Sequence, residues 1–232
     1  MLTLAAVSKV IAPYGRHGRP GWGPTLPSRW AWVVMESPTV FVFIAVIASG
    51  TLSPAVCVFA ALWLLHYGNR TFIYPLRMRA GSKRMPALIA LMGAGFNTLN
   101  AFINAGWVAH VADYPSAWLL DPRFISGTAV FLGGVVLNIH SDEVLRALRA
   151  PGETGYKVPW GGAHRWVASP NYLGEIMAWC GWALLTWSPA GAVFAAYTIA
   201  NLAPRAAANR RWARENLSDY PAERARLIPG IW

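Results

Sequence analysis

Long apolar runs broken by short polar, basic and Gly/Pro-rich segments set the first reading of this chain. Candidate spans fall at about 2–13, 33–50, 53–68, 86–110, 124–141, 171–187 and 189–205. A helix that crosses a bilayer needs roughly 20 mostly apolar residues, so the first run is short and suits a partial span. Gly50-Thr51-Leu52-Ser53-Pro54 separates the second and third runs, and Ser188-Pro189 separates the last two. Both junctions are tight, so both pairs read as helical hairpins. The pattern predicts an all-α integral membrane protein with seven transmembrane helices, forming a single membrane domain over 1–232. The run Leu2–Ala12 lacks a convincing small-residue cleavage site and reads as structure, not as a signal peptide.

Composition agrees. The 232 residues are 55% hydrophobic and 13% charged, with 13 Trp and a mean hydropathy of +0.35. Soluble domains carry about 25% charged residues. The net charge of +10 would suggest nucleic acid in a soluble chain. Here the basic residues occupy the breaks between apolar runs, which points to topology and to anionic ligands. With seven spans, 18 of the 20 Lys+Arg fall on one side, in segments 14–32, 69–85, 142–170 and the tail from 205. Basic loops face the cytoplasm. The N-terminus is then outside and the C-terminus cytoplasmic. Cys57 and Cys180 lie within apolar runs, without metal spacing, and read as packing residues.

Polar side chains at the mouths of the spans carry the candidate chemistry. Asn171 and Glu175 lie four apart at the head of an apolar helix and so share a face. A carboxylate there is expensive unless something polar meets it. Glu36 opens another apolar helix. It is either a helix-entry carboxylate favoured by the helix dipole or a buried acid facing a cavity. Tyr67 closes the next span. It is either part of an interfacial aromatic belt or a phenol that, beside Glu36, donates to a ligand carbonyl and stabilises a developing oxyanion. Asn138 and Asp142 share a helical face, with Arg146 and Arg149 following. They form either a solvated helix end or a set that holds a ribose or carboxamide next to phosphate-binding arginines. Gly161-Gly162 lacks the strand-to-helix context of a soluble dinucleotide fingerprint, but the loop can wrap a ligand closely. Asn209-Arg-Arg-Trp-Ala-Arg214 reads by default as a basic helix at a membrane surface and is also able to bind phosphates. The whole pattern suits a cavity open to the cytoplasm, with a basic mouth for an anionic cofactor and an apolar depth for a lipid-like substrate.

These residues together resemble the steroid 5α-reductase family. The resemblance rests on TyrGlyArgHis at 14–17, Trp-x-x-x-Glu at 32–36, HisTyr-x-x-ArgThrPhe at 66–72, Asn-x-HisSerAsp at 138–142 and LeuArg-x-ProGlyGlu at 148–153. It continues through TyrLysValPro-x-GlyGly at 156–162, AsnTyrLeuGlyGluIle at 171–176 and TyrPro-x-x-Arg-x-x-LeuIlePro at 220–229. It implies a seven-span reductase, expected to be of bacterial type, that uses NADPH to saturate the 4,5 double bond of 3-oxo-4-ene steroids. By the same resemblance Glu36 and Tyr67 polarise the 3-oxo group. Asn138, Asp142, Tyr156, Asn171, Glu175 and Arg205 surround the nicotinamide and ribose, while Arg70, Lys83, Arg149 and Lys157 meet phosphates. Trp32 and Phe96 line the steroid slot. Met35 joins them, standing where animal members often carry Gln. The cofactor loops are then about 69–85, 142–170 and 205–232 on the cytoplasmic side. The tail departs from the family's His-x-x-Trp/Phe-Tyr pattern, and Arg210, Arg211 or Arg214 would substitute there.

The expected partners are a steroid or other lipid-like enone and membrane lipid, with no nucleic acid and no obligate protein partner. The expected location is an inner membrane or the endoplasmic reticulum. Three other readings compete. Reduction of another lipid enone, such as an enoyl thioester or polyprenol precursor, would change only the apolar slot. An isoprenylcysteine-type methyltransferase shares the C-terminal pattern but leaves Glu36 and Tyr67 without a task. A lipid carrier fits poorly with polar groups clustered on one side.

Overall fold

A computed structural model describes residues 21–79, 83–150, 153 and 155–232. The expected partial span 2–13, the motif at 14–17, and Pro151 and Gly152 lie outside these residues. The described chain forms two compact units, the first ending at Ile125 and the second running from Ser126 to Trp232.

In the first unit, strand β1 (Thr25–Pro27) leads into helix α1 (Ser28–Ala48). Helix α2 (Pro54–Gly68) continues through a π-helical turn (Asn69–Ile73) into the short α3 (Tyr74–Arg77). Strand β2 (Arg84–Pro86) then opens α4 (Ala87–Gly106), which ends in a second π-helical turn (Trp107–Val111). The sequence pattern did not anticipate β1 and β2. They form an antiparallel ribbon pairing Thr25 with Pro86 and Pro27 with Arg84. Side-chain periodicity cannot signal strands of three residues; they form because α1 and α4, lying side by side, bring their entry segments together. Helix α5 (Pro122–Ala147) leaves this unit and enters the second, where α6 (Pro170–Thr186) and α7 (Pro189–Asn216) follow.

Proline at the start of α2, α5, α6 and α7 costs these helices nothing, because the first turn has no partner for the missing N–H. Ser53 caps α2 through Val56 N–H at 3.2 Å, and Ser188 caps α7 through Gly191 N–H at 2.9 Å. These caps explain the two hairpin junctions read from the sequence. Six of the expected helices are present, three of them longer than their apolar runs: α1 begins at Ser28, α5 extends to Ala147 and α7 to Asn216. Hydropathy ends where polarity begins, whereas helical hydrogen bonding continues beyond it.

Among the described residues, three segments are long and apolar enough to cross a membrane: Ser28–Ala48, Ala87–Val111 and Pro122–Ala147. Their outward faces expose large apolar side chains, among them Phe41, Leu91, Leu99 and Val136, as expected of helices whose outer solvent is lipid. The same principle corrects the reading of Cys57. It is exposed on α2 instead of packed inside, and Cys180 is only half-buried.

The core of the first unit stacks Phe43 on Trp63 at 4.4 Å and sets Phe59 edge-on to Tyr114 at 4.8 Å. Burial pushes the Tyr114 phenol up to about 12. The second unit is built on a seam of small residues. A Cβ at Gly134 would fall 2.4 Å from Ala178 N, and one at Gly174 would fall 2.5 Å from Asn138 N. One at Gly127 would fall 2.4 Å from Leu185 N, and one at Gly181 would fall 2.4 Å from Phe131 N. Glycines two turns apart on α5 therefore meet glycines two turns apart on α6, and the backbones approach as small-residue membrane interfaces do. The tail returns beside the 160s loop through the pairing of Val167 with Ala225.

Candidate active site

Each unit holds its own polar constellation. In the first unit, three contacts fix the register of α1 against α2 and its π-helical extension. The Trp32 indole donates to Arg70 O at 3.1 Å, the Thr71 hydroxyl to Glu36 O at 3.3 Å, and the Trp63 indole to Thr39 O at 2.8 Å. Trp32, Glu36 and Thr39 form one strip of α1; Trp63, Tyr67 and Thr71 form the facing strip. Glu36 and Tyr67 sit between these pairs and are both buried, at 8% and 5% exposure. A carboxyl buried in an apolar bundle requires polar company. Asn97 of α4 supplies some of it, its amide donating to Glu36 Oε2 at 3.3 Å and to Met35 O at 2.7 Å. Asn97 was not singled out from the sequence. A usable signal existed: Asn97, Asn100 and Asn104 recur at helical spacing on an apolar helix, and all three are buried.

Apolar groups surround this pair. Trp32 is buried, and its ring lies 5.3 Å from that of Tyr74. Met35 is half-buried and lies so close over Gly93 that a Cβ there would come within 2.5 Å of its Cγ. Phe96, also half-buried, is next to Asn97 on α4. Arg70 is stacked 4.9 Å from the ring centroids of both Trp32 and Tyr74, and Lys83 is exposed.

In the second unit, the glycine seam brings α5 and α6 close enough for short polar side chains to bridge them. The Asn138 amide donates to Glu175 Oε2 at 3.0 Å and to Asn171 O at 2.9 Å. The Asn171 amide donates to Asp142 Oδ1 at 2.9 Å, and the Trp179 indole donates to Glu175 Oε1 at 2.9 Å. Four expected residues thus form one connected set. The Glu175 carboxylate, which looked costly in the sequence, is met within the chain by an amide and an indole. Trp179 was not singled out, although it stands four residues after Glu175 on the same face.

Four further expected residues lie in the same unit. Arg205, buried in α7, donates from Nε to the Tyr172 hydroxyl at 3.0 Å. Tyr156 meets Trp212 edge-on at 4.8 Å, with the Arg149 guanidinium 5.9 Å from its ring centroid. Lys157 pairs with Glu153 at 2.6 Å, a contact that lowers the Glu153 carboxyl below its usual range. Gly162 is explained by the chain itself: its φ of +56° is left-handed, and a Cβ would meet His140 Nε2 at 2.6 Å.

The chemistry of the connected set suits the polar part of a nicotinamide cofactor. Both hydrogens of the Asn138 amide are used, so its Oδ1 remains to accept, beside the carboxylates of Asp142 and Glu175. Acceptors of this kind match ribose hydroxyls and a carboxamide NH₂. Arginine and lysine match phosphates.

The fold and the two constellations define a mostly helical protein with three segments, among its described residues, able to cross a membrane, a buried acid beside apolar surface in one unit and an acceptor-rich amide and carboxylate set in the other. Residues 83–232 match the family model described as 3-oxo-5-alpha-steroid 4-dehydrogenase. The chain is 44% identical over 228 residues to the steroid 5-alpha-reductase DET2 of Gossypium hirsutum, covering 95% of this chain and 88% of that protein. It is 44% identical to 3-oxo-5-alpha-steroid 4-dehydrogenase 1 of Macaca fascicularis, covering 94% and 84%. Against the Homo sapiens protein of the same name, identity is 43%, covering 94% and 86%. The chain belongs to the steroid 5α-reductase family, which makes it an oxidoreductase acting on CH–CH groups. These relatives are plant and primate proteins, and they lend no support to the expectation of a bacterial-type member.

Proposed function

We propose that this protein reduces the 4,5 double bond of 3-oxo-4-ene steroids with NADPH. It would do so as a seven-span membrane protein with its N-terminus outside and its basic loops and tail in the cytoplasm. The observation that carries the reading is the α1–α2 register, with Glu36 and Tyr67 buried on facing strips among apolar side chains. Reduction of an enone builds negative charge on the carbonyl oxygen, so donors aimed at that oxygen lower the barrier. The Tyr67 hydroxyl is the donor, Glu36 polarises it and sets its direction, and Asn97 holds Glu36. Trp32, Met35 and Phe96 supply the apolar wall that selects a flat lipid-like substrate and excludes water from the charged oxygen.

NADPH, when bound, supplies the hydride. Asn138, Asp142, Asn171, Glu175, Tyr156 and Arg205 hold its nicotinamide and ribose portion, while Arg70, Lys83, Arg149 and Lys157 take its phosphates. In this reading the loops at about 69–85, 142–170 and 205–232 bind the cofactor on the cytoplasmic side.

The test is direct. Protein purified in detergent is mixed with NADPH and testosterone or progesterone, and loss of the nicotinamide absorbance is followed together with product identification. Turnover to the 4,5-saturated ketone supports the reading. Tight NADPH binding without turnover of any 3-oxo-4-ene steroid overturns the substrate and transfers the same site to another lipid enone.

A further inference from the structure

A cleft of about 450 Å³ lies outside both constellations, in the second unit. It is lined by Ala207, Arg210, Arg211, Arg214, Glu215 and Arg226. Four guanidinium groups face one carboxylate. Two of the four are fixed in place by the tail. Arg210 donates to the Arg224 and Ala222 carbonyls, the latter at 2.6 Å, and the Arg226 guanidinium lies 4.9 Å from the Trp232 ring centroid. The tail is itself held against α7 around Arg224, which is fully buried with its guanidinium 5.0 Å from the Trp160 ring centroid and 5.1 Å from that of Tyr220. Burial pulls the Arg224 guanidinium below its usual value.

A purely solvated basic face needs no ordered arginines; here the tail holds Arg210, and the Trp232 ring lies against Arg226. The last residues close a turn, with Leu227 N–H and Ile228 N–H each donating to Trp232 O at 2.9 Å. That turn displays Ile228, Ile231 and Trp232 at 44%, 80% and 38% exposure beside Arg226. Guanidinium forks match phosphate oxygens in pairs, and an apolar edge beside them matches an acyl chain. The occupant that satisfies both is an amphiphile with an anionic head. Basic clusters attract anionic lipid, and tryptophan settles at the headgroup level.

We propose that this cleft seats the phosphate headgroup of an anionic phospholipid, with Ile231 and Trp232 entering the acyl boundary. The cleft lies within the 205–232 segment, where Arg210, Arg211 or Arg214 are alternative cofactor contacts, so a nucleotide phosphate is the competing occupant that the test must separate from lipid.

The full chain, delipidated in a neutral detergent, is titrated with phosphatidylglycerol, phosphatidylcholine, inorganic phosphate or adenosine 2′,5′-bisphosphate while thermal unfolding is followed. Phosphatidylglycerol should raise Tm by about 5 °C at about a hundredfold excess over its Kd, and phosphatidylcholine should not. The gain should vanish in Arg211→Gln/Arg214→Gln and shrink in Ile231→Ser/Trp232→Ser. If the double arginine variant does not fold, Arg211→Gln alone is compared with wild type by native mass spectrometry, where it should retain less phosphatidylglycerol. Equal shifts with both lipids, or a phosphatidylglycerol shift unchanged in the variants, would overturn the proposal. An arginine-dependent shift from adenosine 2′,5′-bisphosphate or inorganic phosphate that matches the lipid's would also overturn it, and would assign the cleft to a free or nucleotide phosphate.

Discussion

Glu36 and Glu175 are both carboxyls on apolar helices, Glu36 two turns inside α1 and not at its entry, yet their neighbours differ in kind. Glu175 is tied by Asn138 and Trp179 into a network that joins two helices. Glu36 is held by Asn97 among apolar side chains, level with Tyr67. In the proposed mechanism the first activates the substrate and the second orients the cofactor, in keeping with this difference. Glu36→Gln and Tyr67→Phe should each lower turnover by about 10²–10³, the usual loss of one oxyanion donor, with NADPH binding unchanged by calorimetry. Normal turnover in both would remove the oxyanion role. Asn97→Leu should lower turnover about tenfold by freeing Glu36 from one donor, again without weakening NADPH; restoration by Asn97→Gln would identify positioning as the cause. Asp121 lies just before α5. The Arg123 fork, at 2.9 and 2.8 Å, and the Arg123 N–H hold its carboxyl down at about 2. A depressed carboxyl stabilises the fold above its unfolded value of about 3.9 and loses that contribution as pH falls through about 2. The fall in Tm between about pH 4 and pH 2 should therefore be shallower in Asp121→Asn than in wild type. Because the pair is exposed, added salt should reduce the difference.

At the scale of elements, the α5–α6 seam is what turns a helix pair into a site. Two adjacent glycines on α5 make opposite predictions. Gly134 faces α6, and a Cβ there would overlap Ala178 N at 2.4 Å and Gly174 O at 2.5 Å. Gly133 faces open space, with nothing within 4 Å of its Cβ position. Gly134→Ala should lose about 1–3 kcal/mol through overpacking and should weaken NADPH by separating Asn138 from Glu175. Gly133→Ala should gain up to about 1 kcal/mol from helix propensity alone. Thermal unfolding of the two variants decides the point, since equal shifts would deny the seam its role. The caps show what local sequence is able to say about elements. Ser53-Pro54 and Ser188-Pro189 mark helix starts by their own chemistry, and the helices begin there. The β1–β2 ribbon shows the converse, because its strands exist only through the pairing of Thr25 with Pro86 across some sixty residues of chain.

At the scale of the whole molecule, charge asymmetry proposes the topology. A single cysteine placed at Asp113, after both native cysteines are replaced, should react with a membrane-impermeant maleimide from outside. One placed at Arg165 should react only after the membrane is opened. Reaction of both from the same side would contradict the seven-span arrangement.

Sequence alone determined what depends on neighbours along the chain: the apolar runs, the helix starts after Ser53 and Ser188, the basic breaks between them, and the motifs that placed the chain in its family. It also put Asn171 with Glu175, and Asn138 with Asp142, on shared faces, since helical period is a local property. The tertiary structure decided which faces meet. Asn97 reaches Glu36 across 61 positions, Asn138 reaches Glu175 across 37, and Gly134 admits Gly174 to backbone contact. Hydropathy does not encode these partners, because an amide on an apolar helix looks equally misplaced wherever it finally points. Only the packing of helix on helix, permitted by missing side chains at the seam, selects the carboxylate it will satisfy.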